Sequence, residues 1–379
     1  MSKSNETTPN VPTLRFGGFS DLWKKSTIEK NAKVYDGTHQ TPIYTKSGVK
    51  FVSVENINDL YSSDKYISVD DYNSDFKYVP EINDILMTRI GDIGTPALVT
   101  KSEPLAYYVS LALLKEIDLE PHFLYHYIQT APFQKELWRR TLHVAFPKKI
   151  NKNEIGDCAI FYPSTRCEQK KIALFLDGIE KRIKIQNKII SKYETLIKGL
   201  CDILFMGTEE NVLPLKAIAS IDKGQQINGL SLAKTGKYYY LNGGITPSGY
   251  VDDYNSSENT IAISEGGNSC GFVSYNTQKF WSGGHCYTLK IKNTQCCSKF
   301  LFFYLKYKEK DIMQLRVGSG LPNIQKKSLE NFVVPLPTFE KQCYIERILE
   351  SITAKKEIET ALLGQFQSQK KFLLSKMFI

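Results

Sequence analysis

The chain has 379 residues, of which 42% are hydrophobic and 23% are charged, and it carries a net charge of +9. That length is sufficient for two or three domains with cores of their own. The composition is that of a soluble globular protein, and the positive excess suits a polyanionic partner. The polar N-terminus and the lack of any run of about 18 apolar residues predict neither a secretory signal nor a membrane span. We therefore expect a cytoplasmic protein.

The cysteine and histidine pattern does not predict a metal site. The eight cysteines form no CxxC pair, and no His and Cys residues stand at zinc-finger spacing. In a cytoplasmic protein the thiols should be reduced. The five histidines lie in no recognisable catalytic context.

In chain order, the first part of the sequence is typical of a mixed α/β domain. Short apolar runs bounded by Gly and Pro predict strands, and an apolar run with Pro at its start predicts a helix. The predicted strands are VKFVSVENI, DILMTRI, TPALVT and YYVSLALLKE, and the predicted helix is PHFLYHYIQT.

The next segment predicts a long helix with a coiled-coil seam. Apolar residues recur at heptad spacing over about five heptads, which is more than a globular helix requires. A helix of about 40 residues is about 60 Å long, longer than a small domain needs for its own core. The predicted pairing residues are Ile172, Leu176, Ile179, Ile183, Ile190, Ile197 and Leu204.

A second mixed α/β segment and a second heptad helix follow. The predicted strands are GKYYYL, NTIAIS, GFVSY and CYTLKIK, and the predicted short helix is SKFLFFYLKYK, with Ser298 as its N-cap candidate. Lys356, Glu359 and Lys370 interrupt the seam of the second long helix. Its predicted pairing residues are Ile345, Leu349, Ile352, Leu363, Phe366 and Leu373.

Three pairs of similar segments at nearly constant separation indicate that the sequence contains a duplicated unit. FLYHYI resembles FLFFYL, Phe146-Pro147 matches Leu321-Pro322, and Gln169 matches Gln342. The spacing is far longer than a solenoid repeat, so it indicates a duplicated domain with its helix. The predicted division is a first domain at 1–163, a first helix at 164–207, a second domain at 208–338 and a second helix at 339–379.

Three glycine-rich stretches lack the rest of a nucleotide-binding motif. GGITPSGY has no Lys followed by Ser or Thr, GSGLPN lacks a third glycine, and EGGNSCG is flanked by strand-like sequence. Tight turns are the favoured interpretation, with close approach of Gly266–Gly271 to a phosphate left open. No GxSxG or HExxH motif is present either. We therefore predict no catalytic residue, cofactor or metal in this chain.

Loops that combine basic, amide and aromatic side chains are the remaining functional signal. Such groups position phosphates and read base edges. The DNA-contact candidates are Arg89, Lys101, Arg139, Arg140, Lys234, Lys237, Tyr239, Asn268 and Arg316.

Phrases along most of the chain resemble the specificity subunit of type I restriction-modification systems. PTLRFGGFSDLW resembles the N-terminal phrase of that family, and GSGLPNIQKKSLENFVVPLPTFEKQ resembles the phrase that closes a target-recognition domain and enters a conserved helix. The stretch from YLNGG to HCYTL is similar to one type of recognition domain in the family. The first closing phrase, AFPKKINKNEIGDCAIFYPSTRCEQ, departs from the pattern because it has no Gly before Phe146 and one extra residue between Pro163 and Gln169.

The resemblance implies a DNA-reading subunit, without catalysis of its own, in a prokaryotic type I endonuclease and adenine methyltransferase complex. Two α/β (α+β) target-recognition domains in pseudo-twofold repeat would each contact half of a bipartite, asymmetric double-stranded DNA target. Their two long helices would pair as an antiparallel coiled coil that spaces the halves. Two methylation subunits and the motor-nuclease subunits would dock on the chain. These partners would bring S-adenosylmethionine, ATP and Mg²⁺.

Two other interpretations remain open at the level of sequence. One is a DNA-binding scaffold that works outside restriction, which would not co-purify with a methyltransferase subunit. The other is an enzyme with an unrecognised site around Gly266–Gly271, whose activity a Gly267 variant would abolish.

Overall fold

The computed structural model describes residues 11–206, 211–229, 232–318 and 320–379, which fall into two compact units. One unit runs to Gln186 and resumes at Leu362–Ile379, and the other is Asn187–Ala361. The units therefore divide within the long helices, whereas the sequence-based division treats each helix as a separate segment and stays a prediction. Among the described residues, no helix is long and apolar enough to cross a membrane.

The first unit is a mixed α/β structure. Its strands and helices are β1 (Lys24–Thr27), β2 (Lys33–Asp36), β3 (Val49–Val52), β4 (Tyr66–Ile67), α1 (Val69–Asp75), β5 (Ile85–Ile90), β6 (Asp92–Leu98), β7 (Leu105–Tyr107), β8 (Leu111–Lys115), α2 (Pro121–Ile128), α3 (Ala131–Arg140), α4 (Lys152–Gly156), β9 (Ala159–Tyr162) and the first part of α5 (Arg166–Phe205). The predicted strands in DILMTRI and TPALVT and the predicted helix that begins with Pro121 are confirmed.

The second unit continues from α5 with a comparable series. It contains β10 (Val212–Pro214), α6 (Leu215–Ile218), β11 (Ala219–Lys223), β12 (Tyr238–Leu241), β13 (Gly249–Val251), β14 (Thr260–Ser264), β15 (Val273–Asn276), β16 (Trp281–Ser282), β17 (Cys286–Ile291), α7 (Ser298–Tyr307), α8 (Glu309–Gln314), β18 (Arg316–Val317), β19 (Asn323–Ile324), α9 (Lys326–Glu330), β20 (Val333–Pro335) and the first part of α10 (Phe339–Lys376). The end of α10 belongs to the first unit.

The two units repeat one sheet topology. A four-stranded antiparallel sheet has the order β2-β8-β5-β6 in the first unit and β11-β17-β14-β15 in the second. A three-stranded sheet has the order β4-β3-β7 or β13-β12-β16, and its central strand pairs antiparallel with one neighbour and parallel with the other. The pairs β1-β9 and β10-β20 also correspond. The predicted duplication of an α/β domain followed by a long helix is therefore confirmed.

The four-stranded sheet of the first unit is buried on both faces, which explains the apolar run Ile85–Met87 at the start of β5. Ile85 and Met87 face the helices and share one core with α2, α3 and the start of α5. Leu86 faces the other way and packs with Val52 and Tyr107 in a second cluster. Because successive side chains of a strand point to opposite faces, a strand between two layers is apolar throughout. In the second unit, β14 is buried in the same way.

The long helices α5 and α10 pair antiparallel within each unit. In the first unit Lys370 of α10 forms an ion pair with Glu180 of α5. In the second unit Lys356 Nζ lies 3.8 Å from a carboxylate oxygen of Glu194. Residue numbers that rise on one helix therefore fall on the other, and the expected antiparallel pairing is confirmed. The two lysines that interrupt the second heptad seam each face an acidic residue of the first.

All predicted pairing residues are at least half-buried. The fully buried ones are Ile172, Leu176, Ile179, Ile345, Leu349 and Leu373, and the half-buried ones are Ile183, Ile190, Ile197, Leu204, Ile352, Leu363 and Phe366. The fully buried residues lie where the helices also join the core of an α/β domain. The half-buried ones lie mainly in the middle of the helices, where a two-helix seam covers one side of each residue.

Gln342 joins the start of α10 to the start of α7. Its Oε1 accepts a hydrogen bond from the amide of Cys297 at 2.9 Å, and its Nε2 donates to the carbonyls of Pro337 and Gln295 at 2.8 and 2.9 Å. Cys297 is the N-cap of α7, and Ser298 is the first helical residue, so the prediction of Ser298 as N-cap was wrong. A side chain from a distant helix binds the amide at this N-cap, which local sequence does not reveal.

Gln169 makes the matching contacts in the first unit. Its Oε1 accepts from the amide of Glu120, the N-cap of α2, at 2.9 Å, and its Nε2 donates to the carbonyl of Pro163 at 3.0 Å. Both glutamines are buried. The sequence match between Gln169 and Gln342 thus corresponds to one conserved joint between a domain and its long helix.

We expect Gln342→Met and Gln169→Met each to destabilise the protein by about 1–3 kcal/mol, because the buried backbone groups lose their partners. Methionine keeps a similar volume, so the loss reports hydrogen bonding rather than packing. Urea unfolding monitored by circular dichroism measures the change. Gln367→Met, on the exposed face of α10, is the matched control. Equal midpoints for Gln342→Met and Gln367→Met would contradict this role.

One polar contact between domain and helix differs between the units. In the first unit His122 of α2 pairs with Asp177 of α5, with 2.7 Å between Nδ1 and Oδ2. In the second, Lys299 of α7 pairs with Glu350 of α10 at the corresponding place. The hydrogen bond to Asp177 raises the pKa of His122, whereas partial burial opposes the rise. The first unit therefore has a histidine, whose charge depends on pH, where the second unit has a lysine.

This replacement predicts a difference in pH dependence. A raised folded-state pKa means that the His122 contribution is complete below the unfolded-state pKa of about 6.5 and is lost as the pH rises through the folded-state pKa. From about pH 6 to about pH 9, the wild type should lose up to about 1 kcal/mol of stability relative to His122→Lys, since the pair is partly exposed.

Urea midpoints across this pH range measure the effect. His39→Lys, at an exposed histidine of the same unit, is the control and should follow the wild-type profile. Parallel profiles for the wild type and His122→Lys would show that the pair adds nothing to stability.

Candidate nucleic-acid interface

In the first unit, the β5–β6 turn is hydrogen-bonded to a loop that follows α3. The amide of Gly91 donates to the carbonyl of Lys148 at 2.8 Å, and the amide of Ile150 donates to the carbonyl of Arg89 at 3.0 Å. Gly91 has a φ of +80°, a conformation that favours glycine at this turn. We call residues 89–94 and 142–150 together the first turn–loop pair.

The second unit contains the same arrangement at the β14–β15 turn. The amide of Gly267 donates to the carbonyl of Pro322 at 3.0 Å, and the amide of Ile324 donates to the carbonyl of Glu265 at 2.8 Å. Gly267 has a φ of +78°, matching Gly91. We call residues 265–271 and the described residues of 316–324 the second turn–loop pair. Two equivalent backbone frames therefore present different side chains.

The hydrogen bonds correct the sequence match in this loop. They place Lys148 opposite Pro322 and Ile150 opposite Ile324. Pro147 and Pro322 are therefore one residue out of register, although they occupy the same loop. The similarity of the two X-Pro dipeptides identifies the equivalent loops, but it does not identify the equivalent residues.

Both loops are basic and free of carboxylates. Residues 141–153 contain Lys148, Lys149 and Lys152 and no Asp or Glu, and residues 312–329 contain Arg316, Lys326 and Lys327 and no Asp or Glu. These six cationic residues are exposed. An exposed cationic loop attracts phosphates, whose negative charge would be repelled by nearby carboxylates.

Four of the predicted DNA-contact residues lie at these loops. Arg139 and Arg140 end α3, immediately before the first loop. The Arg139 side chain is exposed and pairs with Glu136, and Arg140 is held by Glu136 at 2.8 Å and by Glu154 at 3.1 Å. In the second unit, exposed Asn268 lies in the turn itself, and exposed Arg316 lies in β18 beside it.

Four other candidates lie outside the turn–loop pairs. Lys101, Lys234 and Lys237 are exposed, and the Lys101 ammonium stands over the ring of Tyr61 at 4.2 Å. Tyr239 is half-buried, and its hydroxyl donates to Asn276 Oδ1 at 2.9 Å. Burial raises the pKa of Tyr239 to about 12, so its hydroxyl stays neutral. The hydrogen bond from this hydroxyl joins β12 to β15.

Arg89 belongs to the interior of the first unit. Its side chain is buried, pairs with Asp36 on β2, and donates through Nε to the carbonyl of Ile150 at 3.0 Å. Both contacts fix the base of the first turn–loop pair. The guanidinium is therefore committed to protein groups, although the sequence places it in a loop-like phrase.

The glycine turn at Gly266–Gly271 uses three of its six amides in hydrogen bonds within the protein. The amide of Gly267 donates to Pro322, that of Gly271 donates to Ser264 at 2.9 Å, and that of Cys270 donates to Gly267 at 3.1 Å. Amides engaged in this way are not available to cradle a phosphate. The geometry favours the prediction of a tight turn over that of a nucleotide site.

A group with potential metal ligands lies between α2 and α5. His126, Asp177 and Glu180 offer atoms within 4.8 Å of one another. Glu180 already accepts from the Tyr125 hydroxyl at 3.0 Å and pairs with Lys370, so its charge is balanced by an ammonium group. Two hydrogen-bonded histidines hold the pKa of Asp177 far below its usual value despite burial. The arrangement functions as an ion-pair network without requiring a metal.

Sequence reasoning missed the most exposed residues of the loops. Phe146 and Val144 in the first loop and Leu321 in the second are exposed apolar side chains, and Lys148 and Lys149 flank the first two. The lack of carboxylates over 141–153 and 312–329 was the available signal. It pointed to both loops without using any motif.

A family model described as the type I restriction modification DNA specificity domain matches residues 15–195 and 209–366. A type I specificity subunit of Mycoplasma pneumoniae is 34% identical over 123 residues, which are 32% of this chain and 32% of that protein. A type I restriction enzyme specificity subunit of Methanocaldococcus jannaschii is 25% identical over 339 residues, 79% of this chain and 78% of that protein.

The fold is also that of a solved relative. The crystal structure of a type I restriction-modification S subunit from M. genitalium has a TM-score of 0.72 and 19% identity, with 97% of this chain and 99% of that chain covered. The family model covers both repeats, and the two turn–loop pairs lie within its matched segments. The chain therefore belongs to the family of type I restriction-modification specificity subunits and carries its DNA specificity domain twice.

Proposed function

We propose that this chain is the sequence-specific DNA-binding subunit of a type I restriction-modification complex and reads a bipartite, asymmetric double-stranded target. The proposal rests on the two turn–loop pairs, which have the same backbone hydrogen-bond register but different exposed side chains. Equivalent frames hold each domain against DNA in the same way, whereas different side chains read different bases. Each unit therefore reads one half of the target.

The candidate contacts divide by chemistry. The exposed cations Arg139, Lys101, Lys234, Lys237 and Arg316 contact phosphates or guanine edges, and Asn268 contacts an adenine edge through its amide. Arg140 positions the first loop through its carboxylate partners. Arg89 and Tyr239 shape the domains from inside, as their buried contacts require.

Catalysis belongs to partner subunits. Two methylation subunits bind S-adenosylmethionine, and motor-nuclease subunits use ATP and Mg²⁺. This chain recognises the target sequence. Co-purification with a methylation subunit tests this assembly, and a free chain that binds DNA alone would favour a scaffold outside restriction.

The paired helices act as a ruler between the half-sites. Deleting Asn187–Tyr193 from α5 and Glu357–Leu363 from α10 removes one heptad from each helix while keeping the seam in phase. Seven residues correspond to about 10 Å, so the non-specific spacer should shorten by about 3 base pairs with both half-sites unchanged. Methylome sequencing of a host that carries the variant and the methylation subunit reads the spacer directly.

The matched control for the ruler deletes the heptad from α5 alone. That variant breaks the seam register and should modify no site. An unchanged spacer in the double deletion would refute the ruler, because the half-site distance would then not depend on helix length.

Arg316→Ala should weaken duplex binding by a similar factor for target and unrelated DNA, since a phosphate contact carries no base information. The slope of the logarithm of the association constant against the logarithm of salt concentration should become shallower by about one. Fluorescence anisotropy with the purified complex measures both quantities. Lys188→Ala, at an exposed lysine of α5, should leave the slope unchanged. A base-specific loss would instead assign Arg316 to a guanine.

A further inference from the structure

Both loops carry a large apolar side chain that is highly exposed. Phe146 has a relative exposure of 105% in the first loop, and Leu321 has 84% in the second. Each is accompanied by another exposed apolar residue, Val144 in the first loop and Val317 in the second. An isolated exposed apolar residue is ordinary on a protein surface, but the same feature at equivalent loops of two diverged units indicates a function.

The backbone around these side chains is anchored. In the first loop the amide of Leu142 donates to the carbonyl of Lys149 at 2.8 Å, which closes the hairpin beneath Phe146. In the second, β18 pairs with β19 beneath Leu321. A closed hairpin limits collapse of its tip onto the domain. The apolar groups are therefore held outward by the fold.

The surroundings of each tip identify the occupant as DNA. A protein-docking surface is expected to present a contiguous apolar patch. Here cations lie near each apolar tip along a stretch of sequence without carboxylates, since Lys148 and Lys149 follow Phe146 and Arg316 precedes Leu321. The carboxylates of the turn–loop pairs, Asp92 and Glu265, lie on the facing turns. Duplex DNA offers the complementary pattern, with two phosphate rows on either side of apolar base faces and methyl groups.

We propose that Phe146 and Leu321 are the apolar base-contacting residues of the two half-sites. Each side chain enters a groove and presses against a base step or a thymine methyl group, while the neighbouring cations hold the flanking phosphates. Phenylalanine and leucine differ in shape, so the two half-sites experience different contacts from equivalent loops. The proposal rests on the proposed DNA-reading function and adds a specificity-determining role for these residues.

The test uses the full chain co-purified with its methylation subunit and the target mapped by methylome sequencing. Phe146→Ser and Leu321→Ser should each weaken binding to the target duplex by about 10-fold or more, while binding to unrelated DNA and the salt slope stay nearly unchanged. In the methylome, Phe146→Ser should relax bases of one half-site only and Leu321→Ser those of the other. Phe146→Leu should retain part of the affinity because an apolar contact remains.

Val69→Ser is the matched control. Val69 is 55% exposed in the same unit as Phe146, but it is followed by Asp70 and Asp71, whose negative charges would repel phosphates. The affinity of Val69→Ser for the target duplex should equal that of the wild type. Because all three substituted residues are exposed, their unfolding midpoints should also match the wild type.

Several outcomes would overturn the proposal. Phe146→Ser and Leu321→Ser with the affinity of Val69→Ser would show that the tips do not touch bases. Loss of the methylation subunit with unchanged DNA binding would make the tips a protein contact. If the wild-type complex neither binds nor modifies a bipartite target, the proposed function fails as well, which distinguishes that failure from failure of the tips alone.

Discussion

The rest of the structure depends on the burial of two long helices against each other and against both domains. In the first unit, Leu373 of α10 and Phe378, which follows that helix, share a core with Trp23, Phe123 and the start of α5. In the second unit, the end of α5 and the start of α10 close the core in the same way. Each core therefore includes residues of both helices, and the core of the first unit also includes Met377 and Phe378 near the end of the sequence. A change in the length of one helix alone would misalign the residues that pair with the other helix.

The two units have the same backbone arrangement around the paired helices, but many of their side chains differ. The joint glutamines Gln169 and Gln342 bind the same two structural features, since no smaller or apolar side chain could satisfy the buried groups. Where an ion pair is enough, the chemistry differs, with His122 in one unit and Lys299 in the other. Contacts that hold backbone groups are conserved between the repeats, and contacts that need only a charge are not.

The local parts of this architecture could be predicted from the sequence and the long-range parts could not. The heptad period identified both long helices because every turn repeats the same signal. Arg89 was predicted at the surface because its partner Asp36 lies on β2, a strand brought beside it only by the sheet. Ser298 was chosen as a cap because the true partner of that helix end, Gln342, lies on α10. The turn–loop pairs escaped prediction for the same reason, since their hydrogen bonds join distant segments.

The contacts that hold the loop backbones are separate from the exposed side chains of the loops. Substituting an exposed side chain on an anchored loop changes stability by about 0.5 kcal/mol or less, whereas a buried joint residue costs several times more. The loops at 142–150 and 316–324 keep their register through backbone hydrogen bonds, which do not depend on the identity of Phe146 or Leu321. Side chains at these positions can therefore change in either unit with little effect on the fold.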